Sequence, residues 1–226
     1  MITKPPPSEP LPSHPALRAG AEAERQMAFY LHRAFAEDPS VHVLHDLRLV
    51  DPHQPEHTGQ PGVAQIDHLL IHRLGMFIVE SKATSGVITV RPDGQGGDQW
   101  MRGSTGFPSP IRQAARQAAF LRAFLQRNRA SLLGKLPLGL RTVMRAVAGT
   151  DQRGFTHMPI QIIAAISDKG NIERVGGWEP PSKPFRTFLC KADVVADHIR
   201  TEIAAHKRTA PLLASALTSP LSNSYG

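Results

Sequence analysis

The sequence predicts an α/β domain, a small mixed β-sheet flanked by helices, and three patterns carry that reading. Apolar residues recur at helical spacing in two long segments, Leu17 to Phe35 and Ile111 to Leu125. Between them lie short apolar runs rich in Val, Ile and Leu, two of them separated by a glycine-containing turn. A later run, Pro159–Ser167, is continuous and apolar, as a strand buried on both faces requires. Helices layered on such a sheet give each apolar face a partner.

Taken in order, residues 1–15 hold six prolines and little that can pack, so a disordered lead is expected. The folded domain is expected over 16–208. Leu17, Met27, Leu31 and Phe35 line a first helix, which Asp38-Pro39 stops. Val41–Val50 reads as a strand and Asp51–Gly62 as a loop. Ala64–His72 and Met76–Ser81 flank Arg73-Leu74-Gly75 and form a β-hairpin, with Val87–Arg91 a short added strand. Pro92–Gly106, rich in Gly and Asp around Trp100, reads as a loop. Pro110 opens a long helix, since Pro suits a first helical turn, and Ile111, Ala114, Ala118, Leu121 and Leu125 supply its apolar face. After Pro159–Ser167 come a further strand, Phe185–Cys190, and a closing helix, Asp193–His206. Residues 209–226 are small, polar and Pro-broken, a flexible tail by composition.

Length and composition narrow the function classes. A chain of 226 residues with 41% hydrophobic content can bury a core without a disulfide or metal staple. Its single cysteine, Cys190, excludes an intramolecular disulfide and an all-cysteine zinc site. No apolar run approaches the ~20 residues of a membrane helix, and the first residues lack the apolar core of a secretory signal. A soluble cytoplasmic protein without a membrane partner is the expectation. The net charge of +7 is not spread evenly: between Arg102 and Arg153 stand ten cations against one acid, Asp151. Such a segment attracts polyanions, nucleic acid first among them. There is no Gly-x₄-Gly-Lys-Ser/Thr loop, so no use of ATP is expected.

The hairpin carries the chemistry. Asp67, Glu80 and Lys82 interrupt apolar strands, which is costly unless something pairs with them. Alternation puts Glu80 and Lys82 on one face. If Ile71 pairs with Met76, Asp67 falls opposite Glu80 on that same face, the Cβ atoms ~5 Å apart. Two neighbouring carboxylates repel, and a hard divalent cation such as Mg²⁺ relieves the repulsion. Metal-assisted phosphodiester hydrolysis uses such a cluster, with the lysine positioning water or neutralising charge on phosphorus. The plain alternative is an ion pair, Asp67–Lys82 or Glu80–Lys82, at a strand end.

These residues also sit in a longer pattern. Gly20-x-x-Ala23-Glu24, Gln65-Ile66-Asp67-His68-Leu69, Gly75 through Lys82, Gly86-Val87, Trp100, Ser109-Pro110-Ile111-Arg112-Gln113 and Ile162–Ile172 follow one another in an order that resembles the NERD (nuclease-related) family of the PD-(D/E)xK phosphodiesterase superfamily. The resemblance implies a restriction-endonuclease-like core of order αβββαβ. It implies that Asp67 and Glu80 ligate Mg²⁺ or Mn²⁺, with the Ser81 carbonyl, and that Lys82 orients the attacking water. It implies that Glu24 faces the same site from the first helix and that Gln113 holds a phosphate or Lys82, with Gln117 one turn on as its substitute. Ser109 departs from the family's usual Asn. Because the basic window begins in the Gln113 helix, Arg112, Arg116 and Arg122 are the expected phosphate contacts.

The expected function is a metal-dependent nuclease acting on DNA before RNA, in DNA processing or defence. The rival readings are a catalytically silent nucleic-acid-binding module and an interaction protein with an acidic partner. Oligomeric state stays open, a homodimer included. Aromatic residues make up only 6% of the chain, which gives little support to a base-stacking platform.

Overall fold

Apolar spacing and end signals explain where the two long helices start and stop. In the computed structural model, which describes residues 1–54, 62–133 and 154–206, α1 spans Pro15–Phe35 and α2 spans Pro110–Arg127, each with Pro in its first turn. Ser109 caps α2: its hydroxyl accepts the Arg112 N–H at 3.0 Å. Ser thus does the capping work at the position where Asn is usual.

The principal sheet has six strands. They are β1 (Ile2–Lys4), β2 (Val41–Val50), β3 (Val63–His72), β4 (Gly75–Lys82), β8 (Ile160–Ile166) and β10 (Arg186–Lys191), hydrogen-bonded in that order. The β2–β3–β4 segment is antiparallel, whereas β8 runs parallel to both β4 and β10. The chain order α1, β2, β3, β4, α2, β8 is the αβββαβ core that the sequence leads one to expect. A short 3₁₀ turn, Ala192–Val194, leads into the closing helix α4 (Val195–His206), and a one-turn helix α3 (Arg129–Leu132) follows α2.

Strand alternation sorts the core into two layers. Met76 and Ile78 of β4 face α2, packing with Ala114, Ala118, Leu121 and Leu125. Phe77 and Val79 face the other way, onto Met27, Leu31 and Phe35 of α1 and Val195, Ile199 and Ile203 of α4. The next two side chains of the α2 series are therefore Glu80 and Lys82. The fold delivers its charged residues to the end of an apolar face.

Three expectations are corrected. Residues 1–15 are not wholly irregular, because Ile2–Lys4 add β1 to the sheet edge, parallel to β2. Residues 92–106 are not simply a loop: β6 (Asp98–Arg102) and β7 (Thr105–Phe107) form a hairpin there. Together with β5 (Gly86–Pro92) and β9 (Gly170–Arg174) they build a second, four-stranded sheet of order β7-β6-β5-β9, where a single sheet is expected. The period-2 signal of β6 is real but short, Asp98 and Trp100 buried and Gln99 exposed between them. Glycines on both sides mask it. The tail 209–226 lies outside the described residues.

The second sheet fixes α2. Trp100, fully buried, meets Phe107 and Trp178 edge-on. Asp98, also buried, accepts hydrogen bonds from the Trp100 indole N–H and from the Ser109 hydroxyl (2.6 Å), and pairs with Arg112 Nε at 2.9 Å. The start of α2, and with it Gln113, is held by this one carboxylate. Asp98→Ala strands the indole N–H and the hydroxyl, so a stability loss of about 2–3 kcal/mol is expected in urea titration. A loss under about 0.5 kcal/mol would show that the cluster does not anchor the helix.

Candidate active site

The β3–β4 turn has two residues, Arg73 and Leu74, and Gly75 opens β4. Gly75 has φ of +149°, and a Cβ there would come within 2.7 Å of the Pro159 carbonyl oxygen. Only glycine allows that approach. The turn sets the register: Ile71 faces Met76, and the ladder runs on to His68 opposite Val79. This is the register that places Asp67 across from Glu80.

At that point the ladder stops, while β4 stays paired with β8 as far as Lys82 opposite Ile166. The two strands part. The Ser81 N–H donates to Asp67 Oδ2 at 2.9 Å, so a side chain satisfies a backbone group that the ladder leaves free. The β2–β3 ladder is interrupted beside it, between His45–His68 and Leu47–Ile66. Asp46, in that gap, has φ of +49°, rare for any residue but glycine. It accepts Gln65 Nε2 at 2.6 Å.

Around the opening lie the residues that the hairpin pattern singles out. Lys82 Nζ donates to Glu80 Oε1 at 2.6 Å and to Gln113 Oε1 at 3.1 Å. Gln117 Nε2 donates to Glu80 Oε2 at 2.9 Å. Glu80 is 1% exposed, and its two oxygens are each held by one of these donors. The Glu80–Lys82 ion pair, which the hairpin pattern admits as a plain alternative, is thus present and forms part of a larger cluster. Burial, followed by the charge of Glu80, holds the Asp67 carboxyl well above the usual carboxylate range. Glu24 is half-buried on α1. Burial first, then the charges of Asp46 and Glu80, raise its carboxyl too. Five groups from four elements, Glu24, Asp67, Glu80, Lys82 and Gln113, therefore share one electrostatic environment.

Behind the carboxylates lies a buried pair that sequence reading overlooks. His45 and His68 meet Nδ1 to Nδ1 at 2.7 Å, and His68 Nε2 contacts Ser81 Oγ at 3.2 Å. Burial lowers both imidazoles, His45 to about 4 and His68 to about 3. A base depressed in the fold takes up protons on unfolding between its folded value and the ordinary histidine value. Stability is therefore whole above about pH 6.5 and falls as pH drops toward 4. We expect the melting temperature to decline across that interval, and to decline less in His45→Phe. Equal declines would exclude the pair as the cause.

The basic window divides differently from the charge count. Arg112 is bound to Asp98, through both its Nε and the Asp98 carbonyl. Arg122 donates to the Met158 carbonyl at 3.1 Å and lies 4.5 Å over the Phe185 ring, and burial lowers its pKa. Arg127 pairs with Asp51. These contacts draw Arg122 into the fold, whereas Arg112, although paired with Asp98, keeps 55% of its side chain exposed beside Arg116. Arg116 is exposed and has no polar partner among the described residues. Lys135, Arg141, Arg145 and Arg153 lie outside them.

A mixed sheet flanked by helices, with an Asp and a Glu-x-Lys on adjacent strands at its opened end, defines a nuclease-like α/β protein. The family model of the nuclease-related domain, NERD, matches residues 19–143, more than half of the chain, and the chain belongs to that family. No curated protein and no solved structure matches it. No helix among the described residues is long and apolar enough to cross a membrane.

Proposed function

We propose that the protein is a metal-dependent nuclease that hydrolyses phosphodiester bonds of nucleic acid, DNA before RNA, acting in the cytoplasm in DNA processing or defence. The observation that carries the reading is the meeting of Asp67, Glu80, Lys82 and Gln113 at the parted end of β3 and β4.

The donor set fits a hard divalent cation. Asp67 Oδ2 is taken by Ser81, but Oδ1 has no donor among the described residues. Together with Glu80 it offers only oxygen, in a place where burial makes paired negative charge expensive. Among the described residues no three His, Cys, Asp or Glu side chains close into a metal cage. Mg²⁺ needs none, since it keeps several waters and often uses one or two carboxylates. Asp67 and Glu80 would hold Mg²⁺ or Mn²⁺, which when bound polarises the phosphate and acidifies a coordinated water.

The chain's own groups have separate tasks. Lys82, fixed between Glu80 and Gln113, presents its remaining proton toward water or a phosphate oxygen. Gln117 holds Glu80 in its rotamer, and Gln113 keeps Lys82 from folding back wholly onto Glu80. Glu24 stands at the rim as a water-holding carboxylate. Arg116 supplies a phosphate contact.

The test is incubation of plasmid with Mg²⁺ or Mn²⁺, comparing wild type with Asp67→Ala. Cleavage by wild type alone supports the reading. Equal cleavage by both would remove Asp67 from the site. Binding of DNA without cleavage under any metal would favour the catalytically silent module.

A further inference from the structure

Beside the candidate site runs a cleft of about 390 Å³ that the motif does not point to and of which the charge count touches only Arg102. Its walls include Ala19 and Ala23 of α1, Ala83 and Thr84 just past β4, Arg102 at the end of β6, and Lys169 before β9. Thr84 follows Lys82 by two residues, and Ala23 precedes Glu24. The Ser167 N–H donates to the Lys82 carbonyl at 3.1 Å, tying the cleft floor to the lysine strand. The cleft thus begins where the cluster of Asp67, Glu80 and Lys82 ends. It lies at the C-terminal ends of the parallel pair β4 and β8, the usual place for a ligand in an open α/β sheet.

Its charge is unspent. Arg102 and Lys169 are exposed, and neither side chain has a hydrogen bond or ion pair among the described residues. The nearby acids are already engaged. Glu22, itself in the wall, pairs with Arg18 at 3.0 Å at the surface, and Asp168 accepts from Gln26 Nε2 at 2.8 Å and from the Tyr30 hydroxyl, which leaves the two cations in excess. No aromatic ring lines the walls, so bases have nothing to stack on. Alanines on two sides let a chain approach closely, and the Thr84 hydroxyl adds a donor.

We infer that this cleft binds the phosphodiester backbone of the nucleic-acid strand leaving the candidate site, gripped by Arg102 and Lys169 and indifferent to base sequence. The inference rests on the nuclease reading and moves its main phosphate grip from α2 to the β6–β7 hairpin and the β8–β9 turn. Contacts of this kind position a backbone without reading it.

The experiment is fluorescence anisotropy with two labelled duplex DNAs of unrelated sequence, in EDTA to prevent cleavage. Wild type is compared with Arg102→Glu/Lys169→Glu and with Arg73→Glu, a charge reversal at the opposite end of β4. Arg102→Gln/Lys169→Gln serves as the milder pair, and a thermal melt checks that each variant is folded. Both double variants are expected to bind more weakly, the Glu pair by about tenfold or more, equally for the two duplexes. The plot of log affinity against log salt should flatten by about 2, near 0.9 for each lost contact. Arg73→Glu should bind as wild type does. Double variants that bind as Arg73→Glu does, or a loss confined to one duplex, would overturn the proposal. If wild type cleaves plasmid yet the double variants bind normally, the cleft alone falls. If wild type neither binds nor cleaves, the nuclease reading falls with it.

Discussion

Asp67→Asn should abolish cleavage and at the same time raise the melting temperature of the metal-free protein at pH 7–8. The loss of activity follows if Asp67 Oδ1 is a metal donor, since an amide oxygen is neutral. The gain in stability follows from the geometry. Asn keeps the oxygen that accepts the Ser81 N–H and removes a buried charge facing Glu80. The sign comes from the proton count. The Asp67 carboxyl is raised in the fold, so above the ordinary carboxylate pKa the folded state holds the proton more firmly than the unfolded chain. Stability conferred on the acid form is lost as pH rises through that folded-state value. The advantage of Asn should therefore fade toward pH 4. For a chain of this size each 1 kcal/mol recovered moves the midpoint by roughly 2–4 °C. Mg²⁺ should narrow the gap by stabilising wild type and not the variant, by about 2.7 kcal/mol at a hundred times its dissociation constant. A variant that melts below wild type at every pH would refute the reading of Asp67 as a strained, cation-seeking carboxylate.

Lys82→Met should lower the cleavage rate at least a hundredfold, the scale set by loss of a positioned proton donor. It should also destabilise the fold. Glu80 is almost wholly buried, and Lys82 is its only cationic partner among the described residues. Removing Lys82 leaves Gln117 as the sole donor to that buried charge among the described residues. Because the lysine itself is partly exposed, a cost of about 1–3 kcal/mol is expected rather than the full value of a buried pair. Adding Glu80→Gln should restore most of that stability and none of the activity. The cycle separates the two roles, since a purely structural ion pair would return both together. If Lys82→Met cleaves at the wild-type rate, the lysine is only a charge partner.

How much of this is legible in the sequence depends on the range of the interaction. The β3–β4 hairpin is local: a two-residue turn and period-2 alternation determine which side chains share a face, so the grouping of Asp67, Glu80 and Lys82 can be read directly. Gln113 and Glu24 come through the family resemblance, and both lie at the opening. The rest depends on partners distant in the chain. Arg112 appears free until Asp98, fourteen residues earlier, is seen beneath it. Arg122 appears free until Phe185 and Met158 close over it. The His45–His68 contact requires the register of β2 on β3, and the intervening loop conceals that register. Asp46 carries a visible sign, an acid within an apolar strand, but its positive φ belongs to the folded backbone alone. The hairpin of β6 and β7 is hidden for another reason: five and three residues among glycines are too few for alternation to rise above composition.

The parting of β3 from β4 also isolates one amide. The Ser81 N–H answers to the Asp67 carboxylate, a side chain, at the point where the β3–β4 ladder has stopped. Its resonance in a ¹H–¹⁵N spectrum is therefore a native gauge of the site. It should move when Asp67 takes up a proton or shares its charge, while the signals of Ile78 and Val79 stay still. A single peak would then follow each titration without any label attached to the protein.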